Sequence, residues 1–412
     1  MKITANFIST SALILYTSSV LVVDHVSGAV FLIVLLAGLT TMFKRFSSLP
    51  PLTVQEKAFF IVVSLLFLTA LITTYFNDTN LDRGDRFINL IMVIPVYVFF
   101  KCVDIKEKYL WSGLAIGTVA ALIVGIYQVY GPIHQSRATG AVHQILFGDL
   151  SLLLGVMSLA GYTWFRQQKE RLVLIPFLVF LAGILASVIS LTRGSWLALP
   201  FLSLIFIWIL SRHLSTKKIV TIFGLLSLVV AIIYLTPQTG VQKRVDETVS
   251  NIDRYIKSTN VDDPVRSNST GSRFEMWQAA WLIFKDNPVV GVGWGNYTDK
   301  AMELVEQGIL NKEIAEFSHP HNQFMSALAK GGLLAFIALI LLFIFPAFIF
   351  FRSLRDDTNP QVQRFALAGL ILVIGFASFS LSESIFERSR SITFFSFYLA
   401  VFMSIVLRNR PD

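Results

Sequence analysis

Charge is scarce in this chain of 412 residues: Asp, Glu, Lys and Arg together make up 15%, where a soluble domain carries about a quarter. That shortage, beside 54% hydrophobic residues and a mean hydropathy of +0.66, excludes an ordinary water-soluble domain and excludes disorder. Cysteine is nearly absent. The single Cys102 can form no internal disulfide, and it reads as filler at the end of an apolar run, silent about redox compartment. Acidic residues number 26 against 34 basic ones, a net charge of +8. The pI near 9.5 raises a nucleic-acid reading that the placement of the charges removes.

Long apolar runs are present in quantity. Runs able to cross about 30 Å of hydrocarbon lie near residues 7–23, 27–43, 57–76, 86–102, 110–130, 145–164, 172–190, 194–211, 218–236, 330–351, 363–381 and 391–407. The predicted fold is an all-α polytopic membrane protein of about twelve transmembrane helices. One large, mostly helical loop separates spans nine and ten. Residues 1–236 then hold the first nine spans, 237–329 a loop domain and 330–412 the last three. The first run ends at Asp24-His25 without a small-residue cleavage signal, so it reads as an uncleaved span.

Lysine and arginine orient these spans. Eighteen, from Lys2 to Arg410, fall at the two ends of the chain and on the connections of one side. The opposite short connections hold six: Arg83, Arg86, Arg137, Arg193, Arg388 and Arg390. The positive-inside rule places both termini in the cytoplasm. The basic excess is a topology signal, and nucleic acid is not an expected partner. The long loop faces outward, into the periplasm of a bacterial cell.

Local signals give that loop structure. Ser272 and Glu275 have capping-box spacing, which predicts a helix from Arg273 to about Lys285, stopped at Asn287-Pro288. On it Trp277, Ala280, Trp281 and Phe284 share a face suited to the headgroup layer. Gly291 to Gly295 reads as a turn rather than a phosphate nest. A second helix is expected over Thr298–Gln307, ending at Gly308. A third should open at His321, after Pro320.

Few residues in such a chain can carry chemistry. His319 and His321 lie two apart, off a common helix face, and no nearby Cys or acidic triplet completes a zinc spacing, so no metal is expected. His321 stands where the loop meets the bilayer, beside Asn322, which could orient an imidazole. A histidine titrates near neutrality and can accept a proton from a sugar hydroxyl. Arg193 interrupts two long apolar runs with almost no loop to solvate it, which marks a functional site in a membrane protein; snorkelling to the headgroups is the plainer alternative. Arg273 opens its helix, where the macrodipole disfavours a cation. Either it neutralises something anionic or it is solvated surface. Arg137, Arg388 and Arg390 add guanidiniums on the same side, a fork geometry suited to diphosphate or carboxylate.

In combination and order, these segments resemble the O-antigen ligase and polymerase superfamily. They are Thr192-Arg193-Gly-Ser-Trp196, Arg273-x-x-x-Trp277 with Asn287-Pro288-x-x-Gly291-x-Gly293, and His321-Asn322 leading to Leu328 and Gly332. The likeness spans nearly the whole chain and is greatest for the ligases that complete lipopolysaccharide. It implies a GT-C-like glycosyltransferase in the inner membrane of a Gram-negative bacterium, with its site facing the periplasm. It implies no cofactor, and a donor glycan carried on undecaprenyl diphosphate, an acceptor lipid A–core and surrounding membrane lipids as partners. Arg193, Arg273 and His321 become the catalytic residues; Arg137, His319, Asn322, Trp277 and Arg388 become candidates for substrate binding. Lys330 departs from the family pattern, since many relatives have an acidic residue there.

The implied reaction is direct displacement with inversion, in which the arginines stabilise the leaving diphosphate and His321 deprotonates the acceptor. Glu383 and Glu387, on another outward connection, keep a two-step route open. A polymerase would use a second lipid-linked glycan as acceptor, and a protein O-oligosaccharyltransferase a protein. A transporter would show inverted repeats and paired broken helices near mid-membrane. No such repeat is visible. Oligomeric state is not encoded in any of these signals.

Overall fold

A computed structural model describes residues 2–45, 51–78, 80–81, 83–212, 215–236 and 241–408. The predicted domain boundary at 236/237 and Arg410 fall at or outside the limits of the described residues. Among those described there is no strand. Before the long loop run α1 (Lys2–Ser19), α2 (Val26–Arg45), α3 (Val54–Phe76), α4 (Ile88–Ile91), α5 (Val93–Lys101) and α6 (Glu107–Tyr130). They continue with α7 (Gln144–Ser158), α8 (Tyr162–Gln168), α9 (Ile175–Ile189), α10 (Ala198–Ser211) and α11 (Thr216–Leu235). The loop contains α12 (Val241–Lys257), α13 (Pro264–Ser267), α14 (Gly271–Asp286) and α15 (Tyr297–Glu306). After it come α16 (Gln323–Asp356), α17 (Pro360–Phe379) and α18 (Ser389–Arg408).

The chain is a multi-pass, all-helical membrane protein. Nine helical stretches among the described residues are long and apolar enough to cross a bilayer, and they coincide with nine of the twelve predicted runs. The runs near 7–23 and 218–236 correspond to α1 and α11. The run near 86–102 is divided into α4 and α5, because Pro95 in the first turn of α5 has no N–H to return to the preceding turn. Burial sorts the helices into centre and rim. Of the window in Ser389–Arg408, 89% is buried, against 22% for Arg193–Ser211, so α18 is central and α10 lies on the outside.

The two ends of the bundle are fastened separately. At one end Arg364 pairs with Glu107 at 2.6 Å, Lys101 and Tyr97 meet Glu56, and Arg408 donates to the Phe100 and Val103 carbonyls. At the end carrying the long loop, Ala141 N–H donates to the Leu21 carbonyl, Arg390 reaches Asp24 and the Ala141 carbonyl, and Asn77 Nδ2 donates to the Gly291 carbonyl.

Within the loop, α14 forms nearly where expected, but without its capping box. Ser272 Oγ donates to the Ser267 carbonyl. The fully buried Glu275 accepts from Tyr255 Oη at 2.7 Å, Arg266 at 2.8 Å and the Asn311 N–H at 2.9 Å. Tertiary partners, one of them a cation, outcompete a local cap. Around Glu275 a small second core gathers Met276, Ala279, Ile283, Tyr297, Leu310 and Ile314.

The start of α16 also differs from expectation. His321 takes φ 48, in the left-handed region, so it stands outside the helix. Asn322 is the cap, its side chain accepting from the Phe324 and Met325 N–H groups. Further along, α16 breaks at Gly332, where φ is 61. The glycine turn closes this break. Val292 and Gly293 donate to the Ala329 and Lys330 carbonyls, and Leu333 and Leu334 donate to those of Pro288 and Val289. A Cβ on Gly332 would lie 2.3 Å from the Val289 carbonyl oxygen, so only glycine fits. The amides of the turn are spent on this junction.

Candidate active site

The segment 317–323 lies against the connection between α17 and α18. Gln323 N–H donates to the Ser380 carbonyl, Gln323 Oε1 accepts from the Phe386 N–H, and Asn322 Nδ2 donates to the Leu381 carbonyl. From the loop, Trp277 Nε1 donates to the Pro320 carbonyl at 2.9 Å. These bonds hold His321 in a backbone conformation that costs on the order of 1–3 kcal/mol for a side chain other than glycine.

The two imidazoles converge on one carboxylate. His321 Nδ1 is 2.9 Å from Glu383 Oε2, and His319 Nε2 is 3.3 Å from Oε1. The rings stand 4.6 Å apart. His319 also meets Ser318 Oγ through Nδ1 at 3.1 Å, so both its nitrogens are engaged. Among the described residues, no partner falls on His321 Nε2. With the carboxylate accepting from Nδ1–H, the proton-free lone pair of His321 sits on Nε2. Burial pushes the Glu383 carboxyl up, but the hydrogen bonds and charge of His319 and His321 outweigh it and hold it well below the usual range.

His319, His321 and Glu383 also form a set of side chains whose ligand atoms lie within 4.8 Å of one another. The local sequence offers no third group at zinc spacing, but the fold brings the Glu383 carboxylate to the two imidazoles from 62 positions beyond His321.

The arginines converge on the same connection. Arg273 donates to the Ser382 carbonyl at 2.9 Å. Burial lowers its guanidinium from its ordinary value; Glu383 opposes the shift and the Arg193 charge adds to it. Arg193 opens a 3-10 turn, Arg193–Leu197, and reaches Thr248 Oγ1 on α12 at 3.3 Å. A Cβ on the next residue, Gly194, would lie 2.4 Å from Ser382 Oγ, so the turn packs closely on the same connection. Asp149 of α7, buried, accepts from Ser195 Oγ at 2.6 Å and anchors that turn from beneath. Among the described residues, neither Arg193 nor Arg273 has a carboxylate within ion-pair distance.

The remaining candidates divide. Arg388 approaches Glu383 at 4.0 Å and stands with the histidines. Arg137 donates to the Ser190 and Leu191 carbonyls at 3.1 and 2.7 Å, at the C-terminal end of α9, where the macrodipole favours a cation. Asn322 spends its side chain on capping α16 and on Leu381, and does not reach an imidazole. His143, absent from the sequence candidates, caps α7; burial and then the charge of Arg388 lower its pKa.

An apolar groove of about 510 Å³ runs between α10, α16 and α17. Phe201, Leu204, Trp208, Phe351 and Ala377 line it, and it reaches Leu381, next to the carbonyl that holds Arg273.

The arrangement is thus an all-helical membrane bundle that gathers, at one end, a Glu–His pair and two arginines with no carboxylate at ion-pair distance among the described residues. Residues 177–340 match the O-antigen ligase family. The chain is 24% identical over 321 residues to an O-antigen ligase of Escherichia coli K12, covering 74% of this chain and 68% of that protein. It is 21% identical over 240 residues to an O-antigen ligase of Salmonella typhimurium, covering 54% and 50%. A likeness of 25% over 344 residues, 83% of this chain and 84% of the other, joins it to an uncharacterized protein of Haemophilus influenzae. These likenesses support membership of the O-antigen ligase superfamily. The match spans Arg193, Arg273, His319 and His321, and stops before Glu383.

Proposed function

We propose that this protein is a glycosyltransferase of the bacterial inner membrane. It moves a glycan from undecaprenyl diphosphate to the lipid A–core oligosaccharide on the periplasmic side. The observation that carries this reading is the pair Arg193 and Arg273, two guanidiniums with no carboxylate at ion-pair distance among the described residues, Arg273 being bonded to the Ser382 carbonyl beside Glu383. Such a pair suits an anionic ligand, and a diphosphate fits the fork of arginine. The groove toward α17 suits the apolar tail of a lipid-linked donor.

In the reaction, the acceptor hydroxyl oxygen attacks the anomeric carbon, and His321 Nε2 takes its proton. The bond from that carbon to the phosphate oxygen breaks, its electron pair passing to the diphosphate. Arg193 and Arg273 stabilise the growing negative charge; loss of a comparable donor costs about 10²–10³ in rate. Glu383 keeps the proton on Nδ1 and stabilises the imidazolium. Both of its oxygens accept from imidazoles, which favours this role over that of a nucleophile and favours a single displacement with inversion.

The test is transfer by the purified protein in lipid nanodiscs, with undecaprenyl-diphosphate-linked glycan offered against three acceptors: lipid A–core, a second lipid-linked glycan and a pilin-like protein. Transfer to lipid A–core is expected. Exclusive extension of the lipid-linked glycan would make the protein a polymerase, and exclusive labelling of protein a protein glycosyltransferase. His321→Ala should keep donor binding and lose turnover, and an active His321→Gln would remove the general-base assignment.

A further inference from the structure

Four segments meet at one buried ion pair that the reaction above does not use. Lys330 of α16 donates to Glu387 Oε1, with both side chains shut off from solvent. Ser326 Oγ donates to the same oxygen at 2.6 Å. Lys330 Nζ also donates to the Ser318 carbonyl at 3.1 Å, which takes a second bond, at 3.1 Å, from Arg83. Arg86 donates to the Glu387 carbonyl. The Tyr297 ring lies 5.4 Å from the ammonium.

The positions of these partners give the pair its meaning. Ser318 immediately precedes His319 and lies just ahead of His321. Glu387 lies one turn beyond Glu383 on the same connection. One ammonium therefore holds both the segment that carries the imidazoles and the connection that carries their carboxylate. A hydrogen bond of 2.9 Å between His321 and Glu383 fails once its partners separate by several tenths of an ångström. An apolar residue at 330 would pack there but could not bond the Ser318 carbonyl. A carboxylate there would face Glu387. A buried ion pair is a weak source of stability, since apolar replacement of both partners is often neutral.

We propose that Lys330 and Glu387 are positioning residues that set the register of the Glu383–His321 pair. The proposal rests on the reading of His321 as the base. The Arg364–Glu107 pair at the opposite end, largely though less completely buried, ties helices alone and supplies the comparison.

The experiment uses the full chain in nanodiscs, with the lipid-linked donor and lipid A–core. Lys330→Met and Glu387→Gln alone should lower thermal stability, and the double variant should recover most of it. Turnover of the double variant should stay about tenfold to a hundredfold low, with the donor KM within about twofold of wild type, as expected of a misplaced catalytic group. Arg364→Met with Glu107→Gln should recover stability and turnover together. Arg83→Gln, which removes the other donor to Ser318 without touching the ion pair, should lower kcat several-fold at unchanged KM. Wild-type kcat in the Lys330/Glu387 double variant or in Arg83→Gln, or a loss confined to KM, overturns the proposal. Should full activity in the double variant accompany an inactive His321→Ala, the clamp alone falls. Full activity in His321→Ala removes both the base and its clamp.

Discussion

His321 and Glu383, 62 positions apart, meet at 2.9 Å through Nδ1 and Oε2, and this contact leaves Nε2 as the basic face of the ring. His319 shares the same carboxylate but spends its second nitrogen on Ser318. The two histidines are therefore unequal in chemistry although they are nearly adjacent in the chain.

That inequality predicts the order of effects. Glu383→Gln can still accept from Nδ1–H but supplies no charge to the imidazolium, so turnover should fall by roughly 10²–10⁴. His319→Ala should lose less. Initial rates in nanodiscs measure both, and a Glu383→Gln protein working at the wild-type rate would show that the carboxylate is not part of the machinery.

The arginine pair predicts a chemical rather than a charge requirement. Arg193→Lys keeps the charge but cannot present a planar fork, and most activity should be lost, on the order of a hundredfold. Arg273→Ala should behave alike. Near-normal transfer by a correctly inserted Arg193→Ala protein would refute the clamp on the diphosphate.

Glu383 also makes stability depend on pH. Its carboxyl is held below the ordinary value of 4.5, so the folded chain binds fewer protons there than the unfolded chain. Its contribution is complete above that value and is lost as pH falls through it toward the folded pKa. Between about pH 6 and about pH 3, wild type should lose melting temperature faster than Glu383→Gln. Parallel melting curves for the two would contradict the linkage.

Glu275 predicts a defect confined to the loop. Its replacement by Ala leaves Arg266 and Tyr255 without their buried partner, which costs about 3–5 kcal/mol when one member of a buried pair is removed. Limited proteolysis should cut the region 241–316 faster while leaving the helical bundle intact. Unchanged cleavage would show that the loop core does not depend on this carboxylate.

Much of this was legible as sequence, because membrane spans write themselves in long apolar runs: nine of the expected runs became qualifying helices. Arg193 stood out because a charge between apolar runs needs a reason, Arg273 because it opens a helix, and His321 because it stands where the loop meets the bilayer. Glu383 appeared only as the acid of a two-step alternative, since nothing local ties it to a histidine so far away. Spacing misled at Ser272 and Glu275, where a cap pattern was overruled by Arg266, Tyr255 and Asn311. It misled again at His321, whose left-handed backbone moved the helix start to Asn322 and Gln323. The two carbonyls at the end of α9 that Arg137 serves could not be read from the sequence, because they lie more than 50 positions away.

Three parts of the site stand on the tips of membrane-crossing stretches: Arg193 heads the one into α10, His321 precedes α16, and Glu383 follows α17. The break at Gly332, sewn to residues 288–293, couples the loop to that same framework. The cleft has no floor of its own. Its vertical spacing is inherited from the lengths and tilts of the apolar stretches below, which respond to hydrocarbon thickness. The lipid matrix thereby becomes a mechanical component of the protein, and under the proposed reaction a thinner or thicker bilayer should act on the separation between Arg193 and His321.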